Sequence, residues 1–400
     1  MPTEPENAQQ PDRDATPGFG RRRALFAAGA VLAAGVGAAA GQLAGGEAEP
    51  GHPVARPPAP TPFHGVRQAG LTFPQQGATQ LLAFDLPRNA QAADREALRS
   101  LLAELTRVLS EAASDPPPDP RLDRGTGSRL TSLVGVGPAI ASRLGLDVPP
   151  ALGELPPFPG DHLDPARSGG DLLLQLCADD RWTLAVTAEL VSTAAHAAGA
   201  TPRWAQSGFL PPTSSGVTPR NLFGFKDGTA NPDDEAARQW VWGPPGPHEN
   251  GTVLVYRRIR MDTAAFAALP GDRRDRAMGR RATDGAPLTG TTEHEDPDIY
   301  AKNPDGSYVI PATAHVRLSS PRLDGGARML RRGYSYDDGP TDRGLLFCAF
   351  MRDPAQFTRV QTRLAARDAL NPFLDHTASA VAYVLPGAQE GSVLGEHLWV

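Results

Sequence analysis

Thr79-Gln80-Leu81-Leu82-Ala83-Phe84-Asp85-Leu86 is an apolar, β-prone run, and the segments C-terminal to it decide how the chain folds. Over residues 94–113, apolar side chains recur at Leu98, Leu101, Leu102, Leu105, Val108 and Leu109, the spacing of an amphipathic helix. Residues 130–136 then read as a strand, 138–144 as a short helix, 171–177 as a strand and 181–198 as a helix. That β-α-β-β-α-β rhythm predicts an α+β unit of the ferredoxin-like kind. The rhythm returns further on. Val253-Leu254-Val255-Tyr256-Arg257-Arg258-Ile259-Arg260 reads as a strand, a helix starts over 262–269, and 344–351, 354–370 and 379–385 read as strand, helix and strand. The expected organisation is two ferredoxin-like domains, 63–215 and 216–390, with a C-terminal tail over 391–400.

The chain has 400 residues, more than one typical core holds, which agrees with two domains. Its net charge of −6 disfavours nucleic acid as a partner, since that demands a basic face. The 42 glycines and 41 prolines gather in long loops and ahead of residue 80. Residues 1–44 read as an export signal: Arg21-Arg22-Arg23, then an Ala/Gly-rich apolar stretch over 24–40, then small residues suited to cleavage. The paired arginines before Ala24-Leu25-Phe26 resemble a twin-arginine signal, so the expected location is periplasmic, extracellular or wall-associated, with a membrane met only through that signal. Residues 45–62 are rich in Pro, Ala and Gly and read as a disordered linker.

The two cysteines, Cys177 and Cys348, each lie in an apolar strand and read as buried free thiols. No Cys-x-x-Cys occurs, which excludes zinc-ribbon sites and covalent c-type haem. Dinucleotide and Walker loops, a Gly-x-Ser-x-Gly elbow and His-Glu-x-x-His are also missing. What remains is Gly224-Phe225-Lys226-Asp227-Gly228-Thr229-Ala230-Asn231-Pro232, where two glycines bracket one carboxylate and permit backbone angles and close approaches that a Cβ forbids. His315, in Ala312-Thr313-Ala314-His315-Val316-Arg317-Leu318, stands before what reads as a short extended segment, and a neutral imidazole there suits iron. Arg331 stands sixteen residues later, in Leu330-Arg331-Arg332-Gly333-Tyr334-Ser335-Tyr336, where a guanidinium can hold a fixed charge beside an oxyanion. Glu293-His294-Glu295-Asp296 reads as a solvated acidic loop, with cation binding by the acids over 293–298 as the alternative.

Taken in order, Phe223 to Pro232, Ala314-His315-Val316-Arg317-Leu318, Leu330 to Tyr336 and Gly344-Leu345-Leu346-Phe347 resemble dye-decolourising (DyP-type) haem peroxidases. Met278-Gly279-Arg280 and Gly285-Ala286-Pro287-Leu288 agree with them, and the likeness runs over about 65–390. The twin-arginine signal points to the exported branch known as deferrochelatase/peroxidase. The resemblance implies a double ferredoxin-like, barrel-like fold and a non-covalent haem b. His315 would be the iron ligand. Asp227 and Arg331 would face the peroxide, with Arg332 the alternative to Arg331. Gly228, Thr229 and Ala230 would pass close to the porphyrin, Arg280 and Arg322 would meet its propionates, and Phe347 would pack beside it. Asp375 is the expected hydrogen-bond acceptor for His315.

The implied activity is oxidation of one-electron donors, such as dyes, by hydrogen peroxide, with release of iron from haem as a second activity of that branch. Asp227 would relay the proton, first as base and then as acid, and Arg331 would stabilise charge on the splitting O–O bond. Bulky donors would be served from a surface aromatic among Trp182, Trp204, Trp240, Trp242 and Tyr334. Expected partners are the peroxide, a small reductant, iron-uptake proteins and a second copy of the chain as a homodimer. A haem-binding or iron-delivery protein without turnover is the alternative. It could dispense with Asp227 and Arg331, and both are present.

Overall fold

The structure is a computed structural model that describes residues 61–123, 129–214 and 216–399. The expected export signal, and the linker up to residue 60, lie outside the described residues.

In the N-terminal half, α1 (Ala69–Thr72) precedes β1 (Ala78–Asp85), α2 (Gln91–Ala112), β2 (Thr131–Val136), α3 (Pro138–Leu144), β3 (Leu172–Ala178), α4 (Arg181–Ala197) and β4 (Thr201–Phe209). The predicted stripe of α2 is buried from Leu98 to Leu109. Asp180 starts α4 by accepting the N–H of Thr183. The sequence reading missed β4. Its outer residues are exposed, and the buried Trp204, Gln206 and Gly208 make a weak apolar signal.

The C-terminal half repeats the plan. After α5 (Asp234–Trp240) come β5 (Thr252–Met261), α6 (Thr263–Ala267), α7 (Gly271–Met278), α8 (His315–Leu318), β6 (Leu330–Arg331), β7 (Tyr334–Asp337), β8 (Arg343–Met351), α9 (Ala355–Arg367) and β9 (Leu374–Val384). The segment expected to be extended after His315 is instead the helical turn α8: Ala314 closes a turn onto the Pro311 carbonyl, and Leu318 N–H returns to the Ala314 carbonyl.

All strand pairs are antiparallel. Within the first half the order is β2-β3-β1-β4, and within the second it is β9-β5-β8-β7, the ferredoxin-like order in both. The halves join edge to edge. β2 meets β9 at Gly135–Val384 and Val136–Tyr383, and β4 meets β7 at Phe209–Ser335. Eight strands therefore close into a barrel, with β6 continuing the line of β7 along β8. The expectation of two ferredoxin-like halves holds, and closure makes their sheets one.

Period-two alternation divides the side chains. Leu81, Leu133, Leu173, Leu254, Tyr256, Leu346 and Cys348 meet inside the barrel. On the outer face of the first half, Leu82, Phe84 and Leu174 pack under α2 and α4. The expected tail folds onto this layer: Leu394 and Leu398 are buried in it, and Arg99 sits 4.7 Å over the Trp399 ring. Both cysteines are free and buried, as the strand readings anticipate. On the outer face of the second half, Ile259 and Met261 of β5, Leu345 and Phe347 of β8 and Leu374 of β9 face a cavity instead. The described residues belong to one compact unit.

Candidate active site

The cavity has a volume of about 260 Å³ and brings together Asp227, Thr229, Ala230, Arg280, His315, Arg322, Arg331 and Phe347. Of the residues singled out for the site, Gly228 does not line it.

The loop carrying Asp227 is built by its own polar groups. Asn221 Oδ1 accepts the N–H groups of Phe223 and Phe225, and Asp227 N–H donates to the Pro219 carbonyl at 2.9 Å. Gly224 and Gly228 take φ of 86° and 113°, so the glycines serve backbone conformation. The loop is tied down by Glu293, which forms an ion pair with Lys226 and accepts from Thr229 Oγ1 at 3.2 Å. The carbonyl of Glu293, with that of Gly285, accepts from Arg280 Nη1. Glu293 is therefore no part of a solvated acidic loop; its side chain is 13% exposed. Burial pushes its pKa up, but hydrogen bonding to Lys226, Thr218 and Thr229 wins and holds it below the usual value.

Arg331 reaches the loop from β6, with Nη1 3.8 Å from Asp227 Oδ1. Strand alternation sends Arg332 the other way. It is 8% exposed and donates to the Phe73 carbonyl, away from the cavity. Of the two arginines, Arg331 is the one that lines the cavity. Burial, then the charge of Arg331, lowers the pKa of Arg280. Arg322 lies at a more open edge, 3.9 Å from Asp296.

His315 opens α8, and its Nδ1 lies 2.6 Å from Asp368 Oδ2. This corrects the expected Asp375. That residue starts β9 and pairs with His162 Nδ1 at 2.7 Å and Arg260 Nη2 at 2.6 Å. Asp368 ends α9 with a side chain 2% exposed, and its other oxygen accepts the Leu370 N–H. A signal was available. A carboxylate at a helix C-terminus opposes the macrodipole, so it needs a partner elsewhere. Burial depresses the His315 pKa, but the Asp368 carboxylate outweighs it and the net direction is upward.

Among the aromatics expected to carry electrons, Trp182 is exposed, whereas Trp204, Trp242 and Tyr334 are buried. No helix of the described residues is long and apolar enough to cross a membrane.

The family model for the N-terminal part of Dyp-type peroxidases matches residues 68–210, and that for the C-terminal part matches 218–389. The dye-decolorizing peroxidase of Thermobifida fusca is 35% identical over 418 aligned positions, covering 93% of this chain and 94% of that one. A deferrochelatase of Shigella flexneri is 35% identical over 372, covering 83% and 85%. The oxyferrous complex of DtpA from Streptomyces lividans superposes with a TM-score of 0.78 at 36% identity, over 86% of this chain and 98% of that one. With both halves matched, and relatives this similar along nearly its whole length, the chain belongs to the DyP-type peroxidase family and is a peroxidase.

Proposed function

We propose that the cavity holds a non-covalent haem b through His315, and that Asp227 and Arg331 carry out the proton and charge work of peroxide reduction. The observation that carries the reading is a convergence on one cavity: an imidazole backed by a buried carboxylate, and an acid–guanidinium pair 3.8 Å apart.

The donor set fits the group. Asp368 engages Nδ1 of His315, which leaves Nε2 as the nitrogen for iron and raises its basicity. Apolar walls from Met261, Leu345, Phe347 and Phe357 suit a macrocycle, while Arg280 and Arg322 suit its carboxylates. Neither cysteine lines the cavity, in keeping with a non-covalent group. When bound, the haem would supply redox-active iron, through which the two oxidising equivalents of the peroxide pass to a small reductant. Asp227 accepts a proton from one peroxide oxygen and returns it to the departing one. Arg331 stabilises the charge that develops as the O–O bond parts. Phe347 keeps water from the same wall. Export of the folded protein by the twin-arginine route completes the reading.

The test is reconstitution with haem. His315→Ala should lose the native Soret band, while Asp227→Ala and Arg331→Leu should retain haem and slow the peroxide reaction by roughly 10²- to 10⁴-fold. Dye oxidation left untouched by both distal variants would defeat the reading.

A further inference from the structure

Asn231 stands in the loop that carries Asp227, and its side chain engages the strand that carries Arg331. Its Nδ2 donates to the Arg331 carbonyl and its Oδ1 accepts the Arg331 N–H, both at 2.9 Å. β6 is two residues long and lies at the edge of the sheet. The next residue, Arg332, donates its N–H to the Cys348 carbonyl on β8 at 2.9 Å. Successive residues of a strand send their N–H and C=O to opposite edges. The main-chain groups of Arg331 therefore face the open edge, where an unpaired strand would be left to solvent. The amide of Asn231 takes that place and satisfies both groups, as another strand would.

The loop end of this contact is also held. Asn231 N–H donates to the Gly228 carbonyl at 3.1 Å, so Asn231 and Asp227 belong to one turn. Pro232 is next in the chain, and a residue before proline is confined to extended backbone. Two residues of one turn thus meet Arg331, Asn231 at its backbone and Asp227 at its guanidinium. Asn231 does not line the cavity.

We propose that Asn231 is a positioning residue for peroxide reduction: it staples the loop of Asp227 to the strand of Arg331 and sets the separation of the acid–guanidinium pair. The inference rests on the roles proposed for those two residues. A displacement of about 1 Å in a catalytic group can cost on the order of 10²-fold in rate. Among the described residues, nothing else holds the outer edge of β6 at Arg331, so loss of the staple frees the guanidinium.

The experiment uses the haem-loaded full chain, with stopped-flow peroxide kinetics and hydrogen exchange of a peptide containing Arg331. Asn231→Ala should slow the peroxide reaction by roughly 10- to 100-fold, leave KM for the reductant unchanged and speed exchange at the Arg331 amide. Asn231→Asp keeps the acceptor and loses the donor, so it should fall between the two; it also decides the matter if the alanine variant does not load haem. In an Arg331→Leu background, Asn231→Ala should add no further loss, because both act through one group. A wild-type rate in Asn231→Ala, or losses that multiply independently, would overturn the role of Asn231 alone. If Arg331→Leu itself reacts at the wild-type rate, the role of Arg331 fails first and takes this one with it.

Discussion

A carboxylate closing α9 has the wrong sign for that end of a helix, and Asp368 is tolerated there because His315 and the Leu370 N–H take its two oxygens. The pair locks the imidazole's tautomer and direction. Asp368→Asn keeps the shape and removes the charge. Haem affinity should drop by about 10- to 100-fold, and the ferric/ferrous midpoint potential should rise, since a less basic imidazole favours the ferric state less. Spectroscopic titration and potentiometry read both. Asp375→Asn, whose carboxylate pairs with His162 and Arg260, should change neither, and a reversal between the two variants would contradict the assignment. Asp227 and His315 could be picked out from their neighbours in the chain. The acid that serves His315 could be flagged only as a carboxylate in need of some partner, because 53 residues separate the two and the fold alone brings them to hydrogen-bond distance.

At the scale of elements, the loop over 221–232 is held by contacts from outside it. Glu293 is one such external anchor, through Lys226 and Thr229. Its pKa is lowered in the folded protein, because hydrogen bonding to Lys226 and its neighbours outweighs the upward push of burial. The stabilisation is therefore complete above the unfolded value, about 4.3, and is lost as pH falls through the lower folded value. Glu293→Gln should melt earlier than the parent near neutral pH. The two melting curves should converge as pH falls below about 4, and amide exchange over 224–230 should quicken in the variant. A gap in Tm that stays constant into acid would show that charge is not what holds the loop. In sequence Glu293 looks like one acid among several. Its burial depends on Lys226, 67 residues away.

At the scale of the whole molecule, two sheets with open edges become one barrel through short seams. Closure depends on close approach: a Cβ on Gly135 would stand 2.9 Å from the Tyr383 carbonyl oxygen at the β2–β9 seam. Gly135→Ala should therefore cost about 1–3 kcal/mol by overpacking. Because strands of both halves share the interior around Leu81, Leu254 and Leu346, calorimetry should still show one transition, moved to lower temperature. Two separated transitions, or no shift at all, would mean that the halves are not coupled through the seam.

Local pattern alone was enough to find α2, α4, α9 and the buried strands, since a helix stripe or an apolar run records the face that each element hides. The Asp227 loop, His315 and the arginine pair were singled out as candidates by residue type and by the joint likeness of their motifs to a known family, each motif being weak when taken alone. Three things waited for the tertiary structure: the seams through which the barrel closes, the outward turn of Arg331 with the inward turn of Arg332, and the partners Asp368, Glu293 and Asn231. All three depend on register between segments far apart in the chain, and no repeat within a single segment encodes a distance to another.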